Sequence, residues 1–309
     1  MRAPNFFPRE VTRTQDFEPP LLQKLFDRAR TMRHRREKLL EGQIMCSLFY
    51  EPSTRTRHRF ESAMYRLGGN VIGTENAREF SSVAKGESLE HTIRVESKYS
   101  DLIVLRHTEN DAAERAARVT EKPIINAGCG TGQHPTQAFL DLFTIENCLG
   151  SIDGISIAFF GDVKHSRVVR SNAYLLGKYQ NVKQHFISPK ELQLEDDIKE
   201  HFREHKIPYW EHENIYDIIG EIDVLYVTRL QLERLAPEIR KKYQNGSGYR
   251  VDRKLAEAMP KGSVRMHPLP IKDEVDPEVD DMKGTVYLKE QIENGLLISM
   301  ALLAMMLGR

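Results

Sequence analysis

Apolar and polar positions change period repeatedly along this chain. Residues 44–50 form an apolar-rich run that stops at Glu51-Pro52. The next apolar positions, Phe60, Ala63, Met64 and Leu67, fall at i, i+3, i+4 and i+7. The first pattern predicts a buried strand and the second a helix with one apolar face. The same exchange recurs to the end of the chain. Strands are predicted at 44–50, 70–72, 102–105, 124–126, 155–160, 183–187, 224–227 and 264–266. Helices are predicted at 20–36, 53–67, 88–99, 136–147 and 167–178, and through the apolar tail 295–307. Such alternation predicts an α/β fold with parallel sheets flanked by helices. Ligands of these sheets bind at the carboxyl ends of the strands, so the segments that follow strands are the places to look for chemistry. Residues 149–154, Leu-Gly-Ser-Ile-Asp-Gly, read as a linker between two α/β halves. Residues 74–87 form a polar stretch expected to be a loop, long enough to suggest function.

A length of 309 residues suits two domains. Lys+Arg and Asp+Glu are equal at 45 each, for a formal net charge of +0, which argues against a nucleic-acid-binding protein while leaving room for a local basic pocket. Hydrophobic residues make up 40% and charged residues 29%, enough for a core and a charged surface. The first residues carry no long apolar run and nothing approaches the ~18 apolar residues of a span, so neither a secretory leader nor a membrane segment is expected. The cysteines, Cys46, Cys129 and Cys148, are odd in number and form no Cys-x-x-Cys pair. A disulfide framework or cysteine zinc site is therefore not expected, and a reduced, cytoplasmic enzyme with buried thiols is.

Six segments concentrate candidate chemistry. Ser53-Thr54-Arg55-Thr56-Arg57 opens a predicted helix with three hydroxyls and two arginines. A helix cap would explain one hydroxyl. It would not explain two cations in a first turn whose dipole disfavours them, whereas a bound anion would. The glycines of a Walker loop are missing. The strand at 102–105 leads into Arg106-His107, where Arg106 suits either a ligand or a plain surface position. Residues 126–137 form a Gly-rich loop that ends in His134-Pro135-Thr136-Gln137, with Pro135 early in a helix. There His134 is either a cap or a neutral imidazole able to polarise a carbonyl. In the second half, Arg167 and Arg229 each follow a strand. Two separated guanidiniums suit a substrate with two carboxylates, although each arginine also has local acids to pair with. Met266-His267-Pro268-Leu269-Pro270 brackets Leu269 with prolines, a rigid turn that presents carbonyls without competing N–H groups.

Taken in order, these motifs resemble the aspartate/ornithine carbamoyltransferase superfamily over nearly the whole chain: Ser-Thr-Arg-Thr-Arg at 53–57, Leu-Arg-His at 105–107, the 126–137 loop, Gly161-Asp162 with Lys164 and Arg167, Thr228-Arg229 with Gln231, and His267-Pro268-Leu269-Pro270. The second-half pattern resembles the aspartate branch, since ornithine enzymes typically carry a His-Cys-Leu-Pro turn and a Ser-Met-Gly motif. The resemblance implies transfer of a carbamoyl group from carbamoyl phosphate to the α-amine of L-aspartate, a step of pyrimidine biosynthesis. It implies a carbamoyl-phosphate-binding domain of residues 1–148 plus 289–309, with the C-terminal helix returning to it, and an aspartate-binding domain of 149–288. Ser53, Thr54, Arg55 and Thr56 would hold the phosphate. Thr56, Arg106 and His134 would face the carbamoyl oxygen. Gln137 and the carbonyls of Leu269 and Pro270 would orient the carbamoyl NH2. Arg167 and Arg229 would bind the two carboxylates of aspartate, with Gln231 nearby. Ser81 and Lys85 would reach in from a neighbouring subunit of a homotrimer with shared sites, and separate regulatory chains are a further possible partner. No metal or organic cofactor is implied.

Two positions depart from the family pattern. Cys129 stands where Asp is common, and Ile271 where Arg is common after the last motif; either change bears on packing or assembly. A carbamoyltransferase for another amino acceptor would have altered Arg167 or Arg229. A non-catalytic homologue serving as an assembly partner would have lost Arg55, Lys85, Arg106 or His134. All six residues are present.

Overall fold

The computed structural model describes residues 7–34, 37–80, 85–231, 237–243 and 248–309. The chain divides into two units, one of Met1–Phe143 with Glu293–Arg309 and one of Thr144–Ile292. Each is built on a parallel five-stranded sheet among the described residues.

In the first unit the strands are β1 (Glu10–Val11), β2 (Ile44–Phe49), β3 (Asn70–Thr74), β4 (Leu102–His107) and β5 (Ile124–Cys129), and they lie in the order β1-β5-β4-β2-β3. β4 and β5 are buried along their whole length and β2 from Met45 on, as expected of parallel strands covered by helices on both faces. The helices of this unit are α1 (Pro19–Met32), α2 (Thr54–Arg66), α3 (Ala77–Phe80), α4 (Leu89–Tyr99) and α5 (Ala112–Ala117). α6 (Pro135–Leu149) begins in the first unit and runs into the second, while α11 (Glu290–Met306) lies in the first unit from Glu293 onward. One core cluster joins Leu48, Ile93, Ile103, Leu105, Ala113 and Ile124. Each such aliphatic side chain is worth about 1.5–3 kcal/mol when fully buried.

In the second unit β6 (Ser156–Phe160), β7 (Lys183–Ile187), β8 (Tyr209–His212), β9 (Val224–Val227) and β10 (Val264–Met266) lie in the order β10-β9-β6-β7-β8. Its helices include α7 (Arg167–Leu176), α8 (Asp196–Glu204), α9 (Pro237–Lys242) and α10 (Arg253–Ala258). Phe160, Ile187, Leu225, Val227, Val251 and Tyr287 share a core.

Both sheets reverse strand order once. The chain builds β2 and β3, then crosses back over β2 to lay down β4. Likewise it builds β6, β7 and β8, then returns to the other side of β6 with β9. The crevices at the carboxyl ends of β2/β4 and β6/β9 are therefore the switch points where ligands of open α/β sheets bind.

Every predicted strand is present. Elsewhere the structure departs from the expected elements, and the tail helix, for one, begins at Glu290 rather than at 295. α1 ends at Met32, and Arg35 and Arg36 of the predicted helix lie outside the described residues. The 74–87 stretch is not a plain loop. β3 continues through Thr74, and the one-turn α3 follows with Ala77 buried in the core, while residues 81–84 lie outside the described part. β1 and β8 have no counterpart among the predicted strands. β1 is two residues long, and β8 is a half-exposed edge strand, Tyr-Trp-Glu-His, without an apolar run. No described helix is long and apolar enough to cross a membrane.

Candidate active site

The candidate residues of the first unit leave three adjacent strands. Phe49 of β2 is in register with Arg106 of β4, and His107 of β4 with Cys129 of β5. The Tyr50 N–H donates to the Arg106 carbonyl at 2.8 Å, extending the ladder to the strand exits.

Ser53 stands at the N-cap of α2 with extended backbone (φ −157°), yet its side chain makes no cap bond. Other N-cap side chains of this chain do bond their own first turn. Ser88 accepts from the His91 N–H at 3.3 Å, and Asp252 from the Leu255 N–H at 2.8 Å. The Ser53 hydroxyl is thus not used by its own helix, and the first N–H groups of α2 have no intrahelical acceptor, as at any helix start. The two arginines of this turn also separate. Arg57 pairs with Glu61 at 3.3 Å and Glu75 at 3.0 Å, which accounts for one of the crowded cations without any anion. Arg55 is exposed and makes no ion pair among the described residues. Thr54 is exposed beside it, whereas Thr56 is buried.

Arg106 is no surface residue. It is 8% exposed, and its guanidinium donates to the Glu51 carboxylate at 3.0 Å and to the Ala127 carbonyl at 3.3 Å. The loop after β5 is held from several sides. Asn126 donates to the Thr12 carbonyl and accepts from the Gly128 N–H, and Asn110 Oδ1 accepts from the N–H groups of Thr131 and Gly132. Gly130 lies at φ +52°, and a Cβ there would stand 2.0 Å from Asn110 Oδ1, so this turn requires glycine. The loop delivers His134, Thr136 and Gln137, all buried, to the start of α6. His134 Nδ1 lies 3.3 Å from Thr136 Oγ1, and Gln137 Nε2 donates to Asp141 Oδ1 at 3.0 Å. Lys85 is exposed on the segment before α4; Ser81 lies outside the described residues.

The second unit repeats the arrangement. Phe160 of β6 is in register with Val227 of β9, and Met266 of β10 with Tyr226. Arg167 is the first residue of α7, just after β6. Arg229 and Gln231 follow β9, and all three are partly buried. Asp162 knits these exits together. It is fully buried, its carboxylate accepts from the N–H groups of His165 at 2.9 Å and Gln231 at 3.3 Å, and its carbonyl accepts from the Thr228 hydroxyl. After β10, Leu269 takes a left-handed conformation (φ +57°) and is joined to Pro270 by a cis peptide bond. Leucine avoids that region, and His267 holds it there by accepting the Leu269 N–H on Nδ1 at 2.8 Å. With Nδ1 accepting, the ring proton sits on Nε2 and is donated to Glu274 at 2.8 Å. Glu274 also accepts from the N–H groups of Lys272 and Asp273. Burial alone would raise its pKa, but these donors outweigh burial and hold the carboxyl below its ordinary value.

Ser53, Thr54, Arg55, Thr56, Arg106, His134 and Gln137 thus gather at one end of the first sheet, and Arg167, Arg229, Gln231, Leu269 and Pro270 at one end of the second. Both departures from the family pattern lie at a core. Cys129 is fully buried in the core of the first unit, and Ile271 packs against the core of the second. Sequence reading passed over Asp141, Glu274 and Asn110, because a lone acid or amide carries no signal until the fold brings its partner near.

The chain belongs to the aspartate/ornithine carbamoyltransferase family. Residues 9–147 match the carbamoyl-P binding domain of that family, and residues 153–306 its Asp/Orn binding domain. Among relatives, the chloroplastic aspartate carbamoyltransferase of Oryza sativa subsp. japonica is 47% identical over 309 residues, covering 96% of this chain and 85% of the relative. Among solved structures, the catalytic subunit of M. jannaschii aspartate transcarbamoylase superposes with a TM-score of 0.88 at 46% identity, covering 96% of this chain and 97% of that one. The Trypanosoma cruzi aspartate transcarbamoylase in complex with carbamoyl aspartate and phosphate superposes with a TM-score of 0.91 at 34% identity, covering 98% of both chains.

Proposed function

We propose that the chain is an enzyme that transfers the carbamoyl group of carbamoyl phosphate to the α-amine of L-aspartate, giving N-carbamoyl-L-aspartate and phosphate for pyrimidine synthesis. The observation that carries this reading is the α2 N-terminus, where an uncapping Ser53 and an ion-pair-free Arg55 meet a free helix end. That combination suits a phosphate. Relatives named aspartate carbamoyltransferase, and a structural neighbour holding both products, support the same substrates.

In this reading Ser53, Thr54, Arg55 and Thr56 hold the phosphate. The neutral amine of aspartate attacks the carbamoyl carbon, and the carbonyl electrons move onto oxygen. Thr56, Arg106 and His134 donate to that oxyanion from fixed positions. The intermediate collapses as the bond to the phosphate oxygen breaks, and the departing phosphate takes the amine proton. Gln137 and the carbonyls of Leu269 and Pro270 orient the carbamoyl NH2. Arg167 and Arg229, with Gln231, hold the carboxylates of aspartate. Positioning and electrostatics supply the acceleration.

Residues 1–148 plus 289–309 would then form the carbamoyl-phosphate-binding domain and 149–288 the aspartate-binding domain. Ser81 and Lys85 would complete the site of a neighbouring chain in a homotrimer, and regulatory chains are compatible with the catalytic subunit named in M. jannaschii. All three cysteines are free thiols, which fits a reducing cytoplasm.

The test is a colorimetric assay for carbamoyl-aspartate with purified protein, run in parallel with L-ornithine. Product with aspartate is expected. Turnover of ornithine alone points to another acceptor, and no turnover of any amine points to a non-catalytic homologue.

A further inference from the structure

α2 carries another arginine, Arg59, that the reaction above does not use. Its side chain threads between α6 and α11. A Cβ at Gly295 would stand 3.1 Å from Arg59 Cδ and 3.3 Å from Leu140 Cδ2, so the absence of a side chain at Gly295 makes room for it. The Arg59 Nε is closed to solvent and makes no hydrogen bond among the described residues. Burial lowers the guanidinium pKa to about 10, against the opposing effect of Asp141, so it remains charged at neutrality. A cation placed there needs a structural or chemical reason, and its neighbours supply one. Arg59 Nη2 donates to Thr136 Oγ1 at 3.3 Å, and Thr136 Oγ1 lies 3.3 Å from His134 Nδ1. Asp141, which shares the electrostatics of Arg59, is fully buried and accepts from Gln137 Nε2 at 3.0 Å.

We infer that Arg59 is a positioning residue that sets the hydrogen-bonding state of both His134 and Gln137. This rests on the proposed function for its meaning, although the geometry stands without it. A guanidinium only donates, so Thr136 Oγ1 accepts from Arg59, which polarises its own O–H to donate a hydrogen bond to His134 Nδ1. With Nδ1 accepting, the neutral ring carries its proton on Nε2, the N–H that the proposed function assigns to the carbamoyl oxygen. On the other branch, the cation interacts with buried Asp141 and favours its carboxylate form. A carboxylate only accepts, so the Gln137 NH2 must face it and Oε1 is left to accept from a carbamoyl NH2. One part-buried charge thereby orients both a donor and an acceptor for the same carbamoyl group.

The tautomer can be read without any turnover. Protein labelled with 15N-histidine is examined by long-range 1H–15N correlation at neutral pH, with His134→Asn supplying the assignment. Wild type is expected to show His134 with Nδ1 unprotonated and Nε2 protonated. Thr136→Val and Arg59→Met are expected to give mixed tautomers and a kcat lower by about tenfold, as for a weakened oxyanion donor. KM for aspartate should stay within about twofold, since the loss falls on the transition state. Arg59→Lys, which restores a charged donor, should recover part of both signals. A wild-type His134 protonated on Nδ1 overturns the inference. So does an unchanged tautomer and kcat in the variants. If Arg59→Met fails to fold, Thr136→Val decides, because it cuts the relay and leaves Arg59 in place. Failure of wild type to make carbamoyl-aspartate would count against the proposed function instead, with the tautomer spectrum still readable.

Discussion

Ser53→Ala separates a hydroxyl that acts on substrate from one that holds a helix. Ser53 occupies the N-cap of α2 without bonding its first turn, whereas Ser88 caps α4 through the His91 N–H. Deleting a cap that is made costs about 1 kcal/mol, a fall in Tm of about 2–4 °C for units of this size. Ser88→Ala should show that fall. Ser53→Ala removes the same atom and breaks no cap, so its Tm should move by less than about 1 °C. Its effect should appear in kinetics. A hydroxyl donating to an anionic phosphate oxygen is worth about 1.5–3 kcal/mol, so kcat/KM for carbamoyl phosphate should fall roughly ten- to a hundredfold. The two variants are compared by thermal melting and by the carbamoyl-aspartate assay under varied carbamoyl phosphate. If Ser53→Ala lowers Tm as much as Ser88→Ala and leaves kcat/KM unchanged, Ser53 is an ordinary cap and the phosphate assignment of this turn fails.

Arg229→Ala should raise the aspartate requirement by about a hundredfold, as expected for a lost charge-assisted contact of roughly 3 kcal/mol, and leave KM for carbamoyl phosphate nearly unchanged; the reverse pattern in steady-state kinetics would exchange the roles of the two units. Arg55→Ala and Lys85→Ala should each be almost inactive alone. When they are dissociated, mixed and reassembled, activity should return from sites that take Arg55 from one chain and Lys85 from another; silence despite subunit exchange confirmed by mass would confine Lys85 to its own chain. Because Glu274 titrates below its ordinary 4.5 in the folded protein, it contributes stability that is present above that value and lost as pH falls through its lower folded value. Acid denaturation should therefore be steeper below about pH 4.5 for wild type than for Glu274→Gln, and equal slopes in pH-dependent melts would show that the His267 pairing carries no linkage.

The chain itself determined its strands, since continuous apolar runs between helical periods have few alternatives to a buried parallel sheet. It also determined where to look, because hydroxyls, guanidiniums and His134 all stand just past those runs, where switch points form. Short or exposed elements such as β1 and β8 left no such trace, because edge strands need no apolar run. The use of each side chain was decided only by tertiary structure. Sequence presents Arg55, Arg57 and Arg59 as near equivalents on one helix. The fold gives Arg57 to Glu61 and Glu75, threads Arg59 past Gly295 to Thr136, and leaves Arg55 outside any ion pair among the described residues. The same holds for serine as a cap, which Ser88 is and Ser53 is not. Periodicity records how often a side chain meets the core. Which partner a polar group meets depends on chain segments as distant as Arg59 and Gly295, and no local pattern encodes that.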